Sequence, residues 1–300
     1  MKAVVLREVD GGLALEDVPD PEGPNIVEVR AAGVNYADVL IRRGRYPQMP
    51  ELPIVLGNEV AGVLDGRRVA AFTPKTGGGY AERTMVDPAW AFDLPDGVSF
   101  ASGAAFLLTY LTAYVPLHLQ VRVTSASTVL VHAGSGGVGS AAIQLAKDLG
   151  ARVIATASSE EKRAFAVSAG ADEAVGYDEI DDLRVDVVVD PVGGDVFKRS
   201  LPLLQPLGQI VAIGFTGGLW DDPSVAWLVG RNVGVQGVYL ARLIQHQPEL
   251  VRGCVSELLA LWAAGRIDPF VGSTFPLGQA EDAHALIESR RHVGKVVLEP

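Results

Sequence analysis

Cysteine is almost missing: Cys254 stands alone among 300 residues, so neither an intrachain disulfide nor a cysteine-built zinc cluster can form. Positive charge is also short. The 25 Lys and Arg face 36 Asp and Glu, a net charge of −11, which excludes a broad nucleic-acid or anionic-membrane surface because those partners attract clustered cations. A small local anion site stays compatible with it. No apolar run reaches the ~20 residues that a membrane helix requires, and Gly, Pro or charge interrupts the longest ones. The N-terminus carries no basic, apolar and small-residue tripartite segment, so the expectation is a soluble cytoplasmic protein. Internal repeats, low-complexity tracts and long charged linkers are lacking too. What is present is apolar bulk: 48% hydrophobic residues, enough for one large or two ordinary domains.

The residue pattern changes along the chain. Up to about residue 115 it reads as β-rich and irregular, with short alternating runs and Gly and Pro punctuation. From residue 128 onward, apolar runs (128–133, 152–157, 185–189, 209–214, 233–238) alternate with helix-length segments (137–149, 160–169, 196–204). That alternation predicts a parallel sheet with crossover helices, and strands covered on both faces need not alternate in polarity. A helix over 249–264, a strand over 271–276, a helix over 280–290 and a strand over 295–299 resemble the N-terminal part again. The reading is an α/β chain with a Rossmann-type doubly wound domain over 116–262 and a discontinuous β-rich domain over 1–115 and 263–300.

Within the α/β part, "HAGSGGVGSAAIQLAK" contains Gly134, Gly136 and Gly139 in the pattern G-x-G-x-x-G. Alone the pattern is weak. Here a β-branched run precedes it, and Val138, Ala142, Leu145, Ala146 and Leu149 follow on one helical face. In such a unit the first glycine allows the tight turn, the second lets the backbone approach a pyrophosphate, and the third lets helix and strand pack closely. The next apolar run ends in Thr156, Ala157, Ser158 and Ser159, where an NAD site places a carboxylate on the ribose 2′-hydroxyl. Without that acid, and with Lys162 beyond, the site suits NADP better than NAD. Glu160 and Glu161 fit a helix start, with Ser158 or Ser159 as N-cap. Lys162 reads equally as a solvated helix residue.

Several further motifs occur in order: "AAGVNYADVLIRRGRYPQMPELPIVLGNEVAG", "GGGYAERTMVD", "AAFLLTYLTAY", "SSEEK", "AGADEAVGY" and "ESRRHVGKVVL". With the glycine turn, they make nearly the whole chain resemble the zinc-free, zeta-crystallin-like quinone oxidoreductases of the medium-chain dehydrogenase/reductase superfamily. The resemblance implies a GroES-like catalytic domain built from both chain ends beside a Rossmann domain, with the active site in the cleft between them. Zinc alcohol dehydrogenases carry a Cys after the "GV" pair and a His in "GHE". This chain has Asn35 and Asn58 instead. A catalytic zinc wants three Cys, His or carboxylate ligands, and His118, His132, His246, His284 and His292 are scattered, each reading as a surface or satisfied structural residue. No metal site is expected. Without a Lewis acid the acceptor must itself be electrophilic, which fits quinones and conjugated carbonyls.

The resemblance further implies NADPH as cofactor, with Gly136, Gly137 and Val138 at the pyrophosphate, and Ser158, Lys162, Tyr177 and Arg290 at the adenosine phosphate. Phe215 falls near the nicotinamide. Arg291 competes with Arg290, and Tyr177 reads equally as an exposed aromatic at a strand edge. Asn35, Tyr46 and Thr112 align with residues lining the nicotinamide and quinone cleft, although Tyr46 reads also as a loop anchor and Thr112 as a helix residue bonding back to its own backbone. The segment between Glu59 and Gly79 is shorter than in relatives. The implied activity is NADPH-dependent quinone reduction by a homodimer. An enone or alkenal reductase, or a non-catalytic crystallin-like or RNA-binding protein, remains the alternative.

Overall fold

The computed structural model describes residues 1–74 and 77–300. In chain order the first elements are β1 (Lys2–Leu6), β2 (Leu13–Asp17), β3 (Ile26–Val34), α1 (Tyr36–Arg42), β4 (Ile54–Val55), β5 (Glu59–Leu64), β6 (Arg67–Phe72), β7 (Arg83–Met85), β8 (Ala91–Asp93), α2 (Phe100–Ala104) and α3 (Leu107–Val115). They are followed by β9 (Thr128–Val131), α4 (Gly137–Asp148), β10 (Arg152–Thr156), α5 (Glu160–Ser168), β11 (Glu173–Val175), β12 (Val185–Asp190), α6 (Gly194–Ser200), β13 (Leu204–Ala212), α7 (Val225–Arg231), β14 (Gly234–Gly237), α8 (Leu240–His246) and α9 (Pro248–Ala263). The chain ends with β15 (Val271–Pro276), α10 (Ala280–Glu288) and β16 (Lys295–Glu299). Contacts divide these into two compact units: Met1–Leu108 with Pro269–Pro300, and Thr109–Asp268.

The first unit is discontinuous because its main sheet needs the C-terminal strands. The sheet runs β15-β16-β3-β5-β6-β8, with β7 also on β3, and β16 lies antiparallel to β3 with Val296 opposite Val34 and Leu298 opposite Ala32. Four of the five residues of β16 are buried, including its one charged interior residue, Lys295. The short segment after Glu59 folds as a two-residue hairpin: Asp65 and Gly66, both at positive φ, join β5 to β6. Two consecutive left-handed residues match the twist of the flanking strands, which is why so short a connection closes. Val4, Leu6, Val27, Leu56, Val60, Val69, Leu277, Ile287, Val296 and Leu298 form the core.

The second unit carries six parallel strands in the order β11-β10-β9-β12-β13-β14. Chain order reverses on either side of β9, which makes the carboxyl ends of β9 and β12 the switch point where doubly wound folds bind ligands. Leu130, Ile154, Val188, Phe197 and Ile210 pack its core. Helix α9 belongs to this unit and buries Val251, Cys254, Val255, Leu258 and Trp262. Helices α1, α2, α7 and α8 are five to seven residues long, too short to show a helical period in the sequence.

Candidate functional site

The glycine turn departs from its expected division of labour. Ala133, not a glycine, takes the left-handed conformation, with φ 50°, and so β9 stops at Val131. Gly134 is required for packing, since a Cβ there would lie 2.8 Å from the Cβ of Ala155 on β10. Gly139 is required more strictly: its Cβ would meet the Ala133 carbonyl oxygen at 2.1 Å. Gly136, the N-cap of α4, is different, because its nearest neighbour would be that same oxygen at 3.4 Å. Space beside Gly136, with Gly137, Val138 and Gly139 opening the helix behind it, is the arrangement that lets amide N–H groups reach an anion.

At the carboxyl end of β10, Ser159 caps α5 by accepting the Lys162 backbone N–H at 3.3 Å. Ala157 is buried and Ser158 exposed; burial depresses the pKa of the Lys162 ammonium. Tyr177 acts on the turn itself, since its hydroxyl accepts the Ala133 N–H at 3.1 Å while its ring stacks on His132 at 6.0 Å. The ring of His132 is fully buried and satisfied by Thr156 and Ser200, and burial holds its pKa down to about 3. Phe215 follows β13 and packs edge-on against Trp220. Thr112 is buried on α3. Arg290 belongs to the other unit, just past α10, at φ 56°.

In the first unit the geometry joins Asn35, a candidate of the sequence, to Glu59 and Lys295, to which no linear pattern pointed. Asn35 Oδ1 accepts from Lys295 Nζ at 2.5 Å, and the same ammonium reaches Glu59 Oε1 at 2.6 Å. Asn35 Nδ2 donates to Glu59 Oε1 at 3.1 Å and to the Gly33 carbonyl at 3.3 Å, so both amide hydrogens are committed inside the unit. Glu59 Oε2 accepts the Leu108 N–H at 2.9 Å. This trio is buried, with the Lys295 and Glu59 side chains only 5% and 1% exposed. A Cβ on Gly33 would lie 2.2 Å from the Ala104 carbonyl oxygen and 2.7 Å from Glu59 Oε1, so glycine there keeps the space for the carboxylate. Tyr46 packs on the neighbouring core, partly buried.

A second buried group adjoins the first through Asn35. The carboxylate of Asp38, fully buried, accepts from the Asn35 N–H (2.8 Å), Asn58 Nδ2 (2.8 Å) and the Tyr80 hydroxyl (3.0 Å). Burial pushes its pKa up to about 6. Tyr80 also lies 3.3 Å from His284 Nε2, and burial, helped by the nearby Arg42 cation, lowers the His284 pKa to about 4. His284 departs in part from the expected satisfied histidine, since its Nδ1 is buried with no hydrogen-bond partner among the described residues. The signals for these residues were faint: a charged residue opening the apolar run "KVVLE", and Asp38 three residues after Asn35 in a capping pattern. Among the described residues no group of three or more His, Cys, Asp or Glu converges as a metal site would.

A GroES-like β unit together with a Rossmann unit carrying this glycine turn defines a medium-chain dehydrogenase/reductase. Profiles of known families agree: residues 21–96 match the alcohol dehydrogenase GroES-like domain and residues 169–298 match zinc-binding dehydrogenase. Quinone oxidoreductase-like protein 2 of Bos taurus is 32% identical over 99% of this chain and 92% of its own length. Among solved structures, the quinone oxidoreductase from Thermus thermophilus, described with its NADPH complex, is 37% identical with a TM-score of 0.93 and full coverage of both chains. The Escherichia coli quinone oxidoreductase complexed with NADPH is 32% identical, TM-score 0.89, again over both whole chains. The chain belongs to the quinone oxidoreductase family of the medium-chain dehydrogenase/reductase superfamily. No helix among the described residues is long and apolar enough to cross a membrane.

Proposed function

We propose that this protein is a cytoplasmic NADPH-dependent quinone reductase that works without zinc. The observation that carries the cofactor assignment is the carboxyl end of β10, where Ala157, Ser158 and Ser159 offer no acid to repel a 2′-phosphate and Lys162 follows on α5. Two NADPH-complexed relatives of full-length similarity support it. NADPH when bound supplies a hydride from C4 of its nicotinamide. The protein's part is to orient and to exclude. Gly136, Gly137 and Val138 take the pyrophosphate at the α4 N-terminus, Gly134 and Gly139 keep that turn closely packed, and Tyr177 holds it through Ala133. Ser158, Lys162 and Arg290 take the adenosine phosphate, and Phe215 flanks the nicotinamide.

Asn35, Tyr46 and Thr112 are assigned to the nicotinamide and its acceptor. With both amide hydrogens of Asn35 committed, the group it has left is one lone pair on Oδ1, which suits a carboxamide N–H and not a substrate oxygen. Asn35 and Asn58 are neutral amides where a zinc site needs thiolate and imidazole, so the acceptor in this reading is an electrophile that dispenses with a metal.

Steady-state oxidation of NADPH and NADH with 1,4-benzoquinone tests activity and cofactor together. Charge-assisted hydrogen bonds contribute about 1.5 to 3 kcal/mol each, so Lys162→Ala or Arg290→Ala weakens NADPH roughly tenfold or more and barely alters NADH. Equal losses for both nucleotides sink the assignment. Turnover with conjugated enals but no quinone replaces the acceptor class.

We also propose a homodimer. Strand β14 pairs with β13 alone among the described strands, and beside it Val225 and Val229 are 74% and 70% exposed on α7. Leu207, whose N–H bonds the Asn232 carbonyl at the end of that helix, is 85% exposed. An open edge next to an apolar surface favours pairing with a second copy. Light scattering on eluted protein should give twice the chain mass, and Val229→Asp should return it to one; a wild-type monomer at micromolar concentration ends the idea.

A further inference from the structure

Asp38 does more than cap a short helix. As an N3 residue it needs one oxygen for the Asn35 N–H, yet it also holds Asn58 Nδ2 on Oδ1 and the Tyr80 hydroxyl on Oδ2. It forms no ion pair among the described residues, and the charged and titratable groups around it are Lys295 and Glu59 across Asn35, Tyr80, and His284 beyond Tyr80. Behind His284 stand Arg42, Arg43 and Glu288.

Three donors aimed at one buried carboxylate leave a single acceptor position, on Oδ1, and a proton placed there needs an acceptor of its own. Ionised, Asp38 accepts all three, Tyr80 spends its single hydrogen on Asp38, and His284 must then donate from Nε2 to the phenol oxygen. Protonated, the carboxyl has to donate. A backbone N–H cannot receive, so either Tyr80 reverses toward His284 or the Asn58 amide turns to present its oxygen. Reversal of Tyr80 would make Nε2 of His284 the acceptor and put its proton on Nδ1, a buried atom with no partner among the described residues, which is costly. Turning of Asn58 is the cheaper response.

We propose that Asp38 is a positioning residue for the reduction: ionised, it fixes the Asn58 amide and the Asn35 backbone in the productive arrangement, and uptake of one proton releases Asn58 to turn. The placement of Asn35 toward the nicotinamide rests on the function proposed above, and Asn58 is tied to Asn35 through Asp38. Burial of the carboxyl group sets the midpoint of the change near pH 6, so activity is full above that pH and falls below it.

The test is kcat/KM for NADPH and 1,4-naphthoquinone from pH 5 to 8.5, with NADPH affinity measured separately by fluorescence. The wild type shows one acid-side inflection near pH 6. Asp38→Asn removes the inflection, lowers kcat/KM at pH 7.5 by roughly 10- to 100-fold, and leaves the Kd for NADPH within about twofold. Tyr80→Phe, which takes one donor from the carboxylate, moves the inflection to higher pH. An Asp38→Asn enzyme that keeps the wild-type inflection, or a Tyr80→Phe enzyme that leaves it in place, overturns the proposal. A wild type inactive with every acceptor sinks the functional reading alone; the Asp38 carboxyl 13C resonance then decides, and a midpoint below about 4.5 overturns the switch while one near 6 sustains it.

Discussion

Gly139→Ala should cost the protein about 100-fold in NADPH affinity. The added Cβ would sit 2.1 Å from the Ala133 carbonyl oxygen, 2.8 Å from its carbon and 2.9 Å from the Gly134 Cα. All three are backbone atoms of the turn that α4 springs from, so no side chain can swing aside. The helix N-terminus has to lift by on the order of 1 Å, and misplacements of that size cost binding and catalysis about two orders of magnitude, or roughly 2.7 kcal/mol. Thermal stability falls with it, because Ala133 is already in a left-handed conformation and has no slack to give. Gly136→Ala is the control. Its Cβ would meet the protein only at 3.4 Å, so the fold keeps its melting temperature while the methyl group obstructs a ligand on the turn. Calorimetry and fluorescence titration on both variants separate packing from contact. A Gly139→Ala protein with wild-type affinity would show that the turn is not the cofactor's seat.

Lys295→Met carries the second large effect. It leaves the Glu59 carboxylate buried with amide donors and no cation, and breaking a buried pair from one side costs about 3 to 5 kcal/mol. For a chain of this size each kcal/mol lowers Tm by about 2 to 4 °C, giving a drop on the order of 6 to 20 °C. The double variant Glu59→Gln with Lys295→Met removes the orphaned charge and should recover most of that loss. Equal melting temperatures for the single and double variants would mean that shape, not charge, makes Lys295 necessary. Both variants keep the first unit's apolar core intact, so the comparison reads the ion pair itself.

Much of the second unit was legible in the sequence. Its strands follow one another as apolar runs, and apart from the β9–β12 pair each strand's neighbour in the sheet is also its neighbour in chain order, as with β9 and β10 joined through α4. The resulting periods and turn residues are local signals. Serines at the end of β10 and the missing acid at Ala157 were likewise readable, because helix capping and charge are properties of a few adjacent residues. Local patterns were weaker where a residue's role depends on a distant atom. Tyr177 read as a residue at the adenosine phosphate or equally as an edge aromatic, and neither reading contained its bond to the Ala133 N–H, 44 residues away.

The chain's alternation of runs and helices thus determined the parallel sheet, the glycine turn and the split into a Rossmann part and a β-rich part, since each follows from side-chain period and backbone sterics within short windows. Only the tertiary structure decided the buried cluster of Asn35, Glu59 and Lys295. Lys295 is separated from the other two by 260 and 236 residues, and β16 brings it to them only by pairing with β3. Nothing in a window of sequence tells whether a lysine beside an apolar run will point to water or to a carboxylate. Its partner fixes that choice, because an ammonium leaves water only where an opposite charge and hydrogen bonds offset the loss of hydration.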